Sequence, residues 1–178
     1  LKGVFRSAAT RLVASRGLKA CSGLSKESCI DIERVGEETL GGYIRSLLGE
    51  GRSEEAMRTF FDNACILCKI FGAPGYMGKV SFSDAYPIDV QGNPLPIRIG
   101  VRMGIAIDRR RGSVATGPYT VEYVEPGARF KFSIRCRNLP NYALGLIAAV
   151  MEMIESGNVK IGGFKTRGFG AVRFRGLT

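Results

Sequence analysis

The clearest periodicity in the chain runs from Ile97 to Ile107. Every odd position there is apolar (Ile97, Ile99, Val101, Met103, Ile105, Ile107), and the even positions are Arg98, Gly100, Arg102, Gly104 and Ala106. Strict alternation of this length predicts a half-buried β-strand, because successive side chains on a strand point to opposite faces. Phe130, Phe132, Ile134 and Cys136 alternate with Lys131, Ser133, Arg135 and Arg137 in the same way, which puts Cys136 on the apolar face and into the expected core. Val172 and Phe174 alternate with Arg173 and Arg175 as a third strand, and Val80 and Phe82 suggest a fourth. Earlier in the chain the period is helical. Leu1, Val4, Phe5, Ala8, Ala9 and Leu12 make one stripe over residues 1–13, with Lys2, Arg6 and Arg11 off it. Ser53 followed by Glu54 and Glu55 predicts a helix start, and the pattern carries to Ile70 before Gly72-Ala73-Pro74-Gly75 stops it.

These elements predict one α+β domain over residues 1–178. Three strands set apolar groups on one face and cations on the other, and the apolar face needs a cover. Leu144, Ile147, Ala148, Met151 and Ile154, at helical spacing within 142–154, supply it. A ferredoxin-like antiparallel sheet covered by helices on one face fits, if its first strand lies upstream of Leu1. Residues 17–52, with seven glycines, two cysteines and a short helical stretch near Leu40 to Leu48, read as an insertion. Residues 108–124 read as a protruding hairpin, its outgoing side the Asp108-Arg109-Arg110-Arg111-Gly112-Ser113 run and its returning arm Tyr119 to Val124.

Charge changes the picture. The chain carries 26 Lys and Arg against 16 Asp and Glu, a formal net charge of +10. Residues 1–97 hold 12 basic against 11 acidic groups, and residues 98–178 hold 14 against 5, so the excess lies in the half with the alternating strands. A polyanionic partner is the expectation, nucleic acid ahead of a membrane surface. The basic strand face lacks exposed aromatics, so it would hold phosphates and read little sequence. No apolar run reaches the roughly 20 residues of a membrane span, and the absence of a secretory signal points to a reducing, cytoplasmic compartment. There is no histidine, which excludes imidazole general bases and mixed Cys/His zinc sites.

Two motifs carry candidate chemistry. Ile161-Gly162-Gly163-Phe164-Lys165-Thr166-Arg167-Gly168-Phe169-Gly170 has four glycines and two cations in ten residues. Such a loop can bring backbone N–H groups close to a phosphate, although a plain helix-to-strand connection also uses glycine. Cys65-Ile66-Leu67-Cys68 is a CxxC, and with Cys21 and Cys29 it could form a four-cysteine structural zinc site that pins the insertion. The alternative places Cys65 and Cys68 on a buried helical stripe with Phe61 and Ala64. Asp84 and Asp108 sit near strand ends, where a lone aspartate is most often a turn former.

Taken together, these segments resemble a known family. Leu1-Lys2-Gly3-Val4-Phe5-Arg6-Ser7 resembles the helix-opening segment of RAMP-superfamily proteins of CRISPR effectors, and Cys65 to Gly72 resembles their CxxCxxFG segment. Gly162 to Gly170 resembles their C-terminal glycine-rich loop, and Ile107-Asp108-Arg109 with Glu125 to Phe130 follow their pattern around a hairpin called the thumb. The likeness is to the repeating backbone subunit of type III (Csm or Cmr) complexes. It implies polymerisation along CRISPR RNA, contact with target RNA, copies of itself and other effector subunits, and no membrane partner. By position it implies guide-phosphate contacts from Lys2 and Arg6, with the loop of Gly162, Gly163, Lys165, Thr166, Arg167 and Gly168 nearby and residues 108–124 as the thumb. The basic strand face adds Arg98 and Arg102 to the expected RNA contacts, and the cationic base of the hairpin adds Arg109, Arg110 and Arg111. Such subunits can also cut target RNA with an aspartate in a loop before the helix-opening segment; the given sequence starts at Leu1 and does not include that position, so cleavage stays open and the role is not transferred to Asp84 or Asp108. A metal-independent RNA-processing endoribonuclease of related fold, and a generic RNA-binding domain, are the competing readings.

Overall fold

The computed structural model describes residues 1–176, which divide into two compact units: residues 1–82 with 134–176, and Ser83–Ser133. In the first, α1 (Lys2–Ser15) buries Phe5, Ala8 and Ala9 of the expected stripe, and Val13 in place of Leu12, which with Leu1 and Val4 is only partly buried. The segment read as an insertion contains α2 (Cys29–Ile32), the short hairpin β1 (Arg34–Val35) and β2 (Glu38–Thr39), and α3 (Leu40–Gly49). Thr39 caps α3, its hydroxyl accepting from the Gly42 N–H at 3.2 Å.

The helix expected from Ser53 to Ile70 is two helices, α4 (Ser53–Asn63) and α5 (Ile66–Phe71). Ala64 and Cys65 between them are extended, with ψ of 147° and 161°, so the second helix sets off in a new direction. Ser53 is the first helical residue of α4 rather than its cap, and the cap position, Arg52, makes no side-chain cap bond. A hairpin of β3 (Gly72–Ala73) and β4 (Tyr76–Met77) follows, then β5 (Val80–Phe82). The Phe60 ring stacks on Tyr76 at 4.1 Å, and Phe5 meets Phe82 at 5.0 Å, tying α4 and α1 to this region.

The second unit holds β6 (Tyr86–Ile88), β7 (Ile99–Asp108), β8 (Ser113–Val124) and β9 (Arg129–Lys131). β6 pairs with β9, and β7 pairs with β8 in one long antiparallel ladder from Ile99↔Val124 to Asp108↔Ser113. Ser83 and Ser133 close the unit's ends through Ser83 N–H to Ser133 O at 3.0 Å and Ser133 N–H to Ser83 Oγ at 2.8 Å.

Back in the first unit, β10 (Ile134–Cys136) pairs with β5, and α6 (Asn141–Glu155) packs against α1. α6 buries Ala143, Ile147, Val150 and Ile154, while Leu144 and Ala148 face out, so the stripe is rotated from the one expected.

Several expectations are corrected. The described residues form five two-stranded ladders rather than one broad sheet. The strand 97–107 was expected to be half-buried in the common sheet, but it is one arm of the hairpin, and its apolar side chains are 55–72% exposed from Ile99 to Ile107. The hairpin is therefore longer than 108–124: both arms span 99–124, with only residues 109–112 in the turn. Cys136 is exposed rather than buried. Residues 171–176, read as a strand, belong to no ladder among the described residues. Alternation supplies a side-chain period, but it supplies no partner for the backbone N–H and C=O groups.

Candidate functional site

The break between α4 and α5 puts Cys65 at the head of α5 and Cys68 one turn in, both facing inward. The loop after α1 brings Cys21, and α2 brings Cys29, to the same point. All four sulfurs lie within 4.8 Å of one another, and all four residues are buried. Cys21 Sγ is 3.2 Å from Cys68 Sγ and 3.6 Å from Cys65 Sγ, and the Cys65 N–H donates to Cys29 Sγ at 3.2 Å. A tetrahedron with Zn–S arms of about 2.3 Å has edges of roughly 3.8 Å, so the cluster already has close to the right dimensions. The Cys65 thiol is pushed strongly down, because Cys29 and Cys68 donate hydrogen bonds to its thiolate. The Cys29 thiol is pushed up by the same pairing. A soft, tetrahedral, all-sulfur donor set suits a divalent d10 ion such as zinc. The four cysteines are close enough together to hold a metal ion, and Cys65 and Cys68 are at the same time buried in the core beside Phe61 and Ala64.

Arg6 joins this cluster rather than the surface. Its Nη1 donates to Gly72 O at 2.7 Å, and its Nη2 donates to Cys68 Sγ at 3.4 Å and Cys21 Sγ at 3.7 Å. Lys2, one turn earlier on α1, is exposed. The two α1 cations expected at a phosphate therefore face different surroundings.

The glycine-rich loop sits on the outside of the first unit. Its neck is closed by Ile161 N–H to Gly170 O at 2.9 Å. Gly170 has φ +86°, and a Cβ there would fall 2.1 Å from Ile161 O, so only glycine closes the neck. Gly162, Gly163, Lys165, Thr166, Arg167 and Gly168 are all exposed within the loop, around a 3-10 turn at Lys165–Arg167. The structure thus gathers these predicted residues onto one protrusion. Sequence reading overlooked Phe164, which takes a left-handed φ of +48° and is 44% exposed. The Arg167 guanidinium lies 5.1 Å from its ring centre and the Phe169 ring 6.3 Å. The signal was present as two phenylalanines flanking two cations in a polar loop.

Arg98, Arg102, Arg109, Arg110 and Arg111 belong to the second unit, and all are exposed. Asp108 is a turn former there: its Oδ1 accepts from Arg110 N–H at 2.8 Å, which holds the triple-arginine tip in shape. Arg102 shares a face with Gly100 and Gly104, whose cross-strand partners Tyr123 and Tyr119 fold their rings over them. The opposite face is the exposed apolar row Ile99, Val101, Met103, Ile105 and Ile107.

No helix among the described residues is long and apolar enough to cross a membrane. The family model described as the RAMP superfamily matches residues 1–173, nearly the whole chain. No curated protein matches it.

Proposed function

The chain belongs to the RAMP superfamily, and from that premise we propose that it is a CRISPR RNA-binding backbone subunit of a type III interference complex. It holds the guide phosphate backbone and polymerises along it, with target RNA, copies of itself and other effector subunits as partners. The observation that carries this reading is the closed, exposed loop at 161–170, where Lys165 and Arg167 are presented among glycines that can approach a phosphate closely. Lys2 on α1 adds a cation to the same unit, and the β7–β8 hairpin acts as the thumb, carrying Arg102 and the Arg109–Arg111 tip, with Arg98 just before its first strand. A ferredoxin-like arrangement of the RNA-holding unit is part of this reading; the β5–β10 ladder beside α1 and α6 supports it. The four cysteines hold zinc as a structural ion that fastens residues 17–52 to the body.

The test is the RNA that co-purifies with the protein. A discrete guide-length species with a constant repeat-derived end is expected, and a heterogeneous mixture would overturn the proposal in favour of a general RNA-binding domain.

A further inference from the structure

We infer that Arg6 is the counter-ion of a tetrathiolate metal centre, not a phosphate-binding residue. This rests on the metal reading of Cys21, Cys29, Cys65 and Cys68. Among the described residues, no ion pair gives Arg6 a carboxylate: the pairs present are Lys19–Glu33, Arg52 with Glu50 and Glu55, and Arg111–Asp108. Its partners are one backbone carbonyl and two sulfurs, and its Nε is buried without a hydrogen-bond partner. A guanidinium keeps its charge at any accessible pH, and one that is partly buried, with its Nε shut off from water, is stabilised by an anion beside it. Neutral thiols are not anions. Four thiolates around one divalent cation carry a net charge of 2−, and the guanidinium at Cys21 and Cys68 offsets half of it.

The seat is built for this side chain. Gly23, from the segment after Cys21, lies against the guanidinium so closely that a Cβ there would fall 2.1 Å from Nη2. Gly72, at φ +96°, is packed on the 76–78 backbone, where a Cβ would meet Gly78 N at 2.8 Å, and it turns its carbonyl to Nη1. Both glycines flank cysteine segments, so the arginine seat and the metal site share their walls. N–H···S bonds to Cys21 and Cys68 draw charge off those sulfurs, which strengthens metal retention and slows their oxidation.

The test compares zinc-loaded full-length protein with Arg6→Met and Arg6→Lys variants. Zinc affinity is read by chelator competition, zinc release is timed under hydrogen peroxide, which oxidises thiolate pairs to disulfides as it is reduced to water, and the salt slope of RNA binding is measured. Arg6→Met should weaken zinc binding roughly 10–100-fold and accelerate release, with the RNA salt slope unchanged. Arg6→Lys, which keeps the charge without the fork, should lie between the two and serves as the readout if Arg6→Met does not fold. If the wild-type chain binds neither zinc nor cobalt, the metal reading falls and this inference with it. If the wild type binds zinc but both variants match its affinity and release rate, the role given to Arg6 is wrong while the metal site stands. A salt slope reduced by about one in Arg6→Met, with zinc binding intact, would return Arg6 to the phosphates.

Discussion

The sulfurs of Cys21 and Cys68 lie 3.2 Å apart although 47 positions separate them in the chain. One comes from the loop after α1 and the other from the first turn of α5, and the extended Ala64–Cys65 link is what lets them meet. Zinc should therefore be present at one ion per chain in elemental analysis of native protein. Cys21→Ser or Cys68→Ser should each abolish it and cost about 3 kcal/mol or more, roughly 6–12 °C in Tm for a chain of this size. Cys136→Ser, at an exposed position outside the cluster, should change neither. Metal-free native protein of unchanged Tm would remove the site.

Occupancy of that site should fall as pH drops. Each cysteine must give up its proton to become a ligand, so protons compete with the metal, and the folded state loses the ion's contribution on the acid side. A zinc-release titration monitored with a chromogenic chelator reads this directly. Release that is independent of pH would argue against thiolate ligation.

For the loop, Lys165→Ala with Arg167→Ala should weaken single-stranded RNA binding uniformly across sequences and lower the log–log salt slope by roughly 1.4. Filter binding over a salt series provides the measurement. An affinity equal to wild type would take residues 161–170 out of the interface.

Two glycines of the same loop should behave differently. Gly170→Ala forces a Cβ against Ile161 O and strains a φ of +86°, so it should open the neck, cost about 1–3 kcal/mol locally and reduce RNA affinity. Gly163→Ala has nothing within 4 Å and should leave affinity close to wild type. Equal effects at both positions would show that the closed neck does not matter to binding.

On the hairpin, a Cβ at Gly104 would fall 2.5 Å from Cζ of Tyr119, and one at Gly100 would fall 2.6 Å from Cζ of Tyr123. Gly104→Val should displace the ring and loosen the ladder, seen as faster amide exchange across Ile99–Val124. Ile105→Lys, on the exposed face, should leave exchange near wild type, with a stability change within about 0.5 kcal/mol. Protection that follows the apolar row instead of the Gly–Tyr pairs would reverse this assignment of the two faces.

Much of the local structure was legible in the chain. The stripe of α1 buries Phe5, Ala8 and Ala9 as read, because a 3.6-residue period fixes which side chains share a face, although at its end Val13 is buried and Leu12 only partly so. Asp108 reads as a turn former, and it is one. The CxxC pair was read together with Cys21 and Cys29, and the four sulfurs do meet, within 4.8 Å of one another. The end of α4 was not legible, since the residues around Ala64 and Cys65 are compatible with a helix. The interruption there leaves Cys65 and Cys68 facing the core, an arrangement local propensity does not specify.

The sequence by itself determined the period of each segment, the cationic excess of the second half, and the donor atoms available for a metal or a phosphate. Those follow from bonding and side-chain chemistry, which every short stretch carries with it. Only the tertiary structure decided which faces are covered. The alternation of Ile99 to Ile107 is the same whether its apolar row meets a helix or faces solvent, and here it faces solvent. Likewise, Lys2 and Arg6 are both cations on α1, yet one is exposed while the other reaches the sulfurs of Cys68 and Cys21. Burial and ligation depend on contacts between residues distant in the chain, and a local pattern cannot specify those contacts.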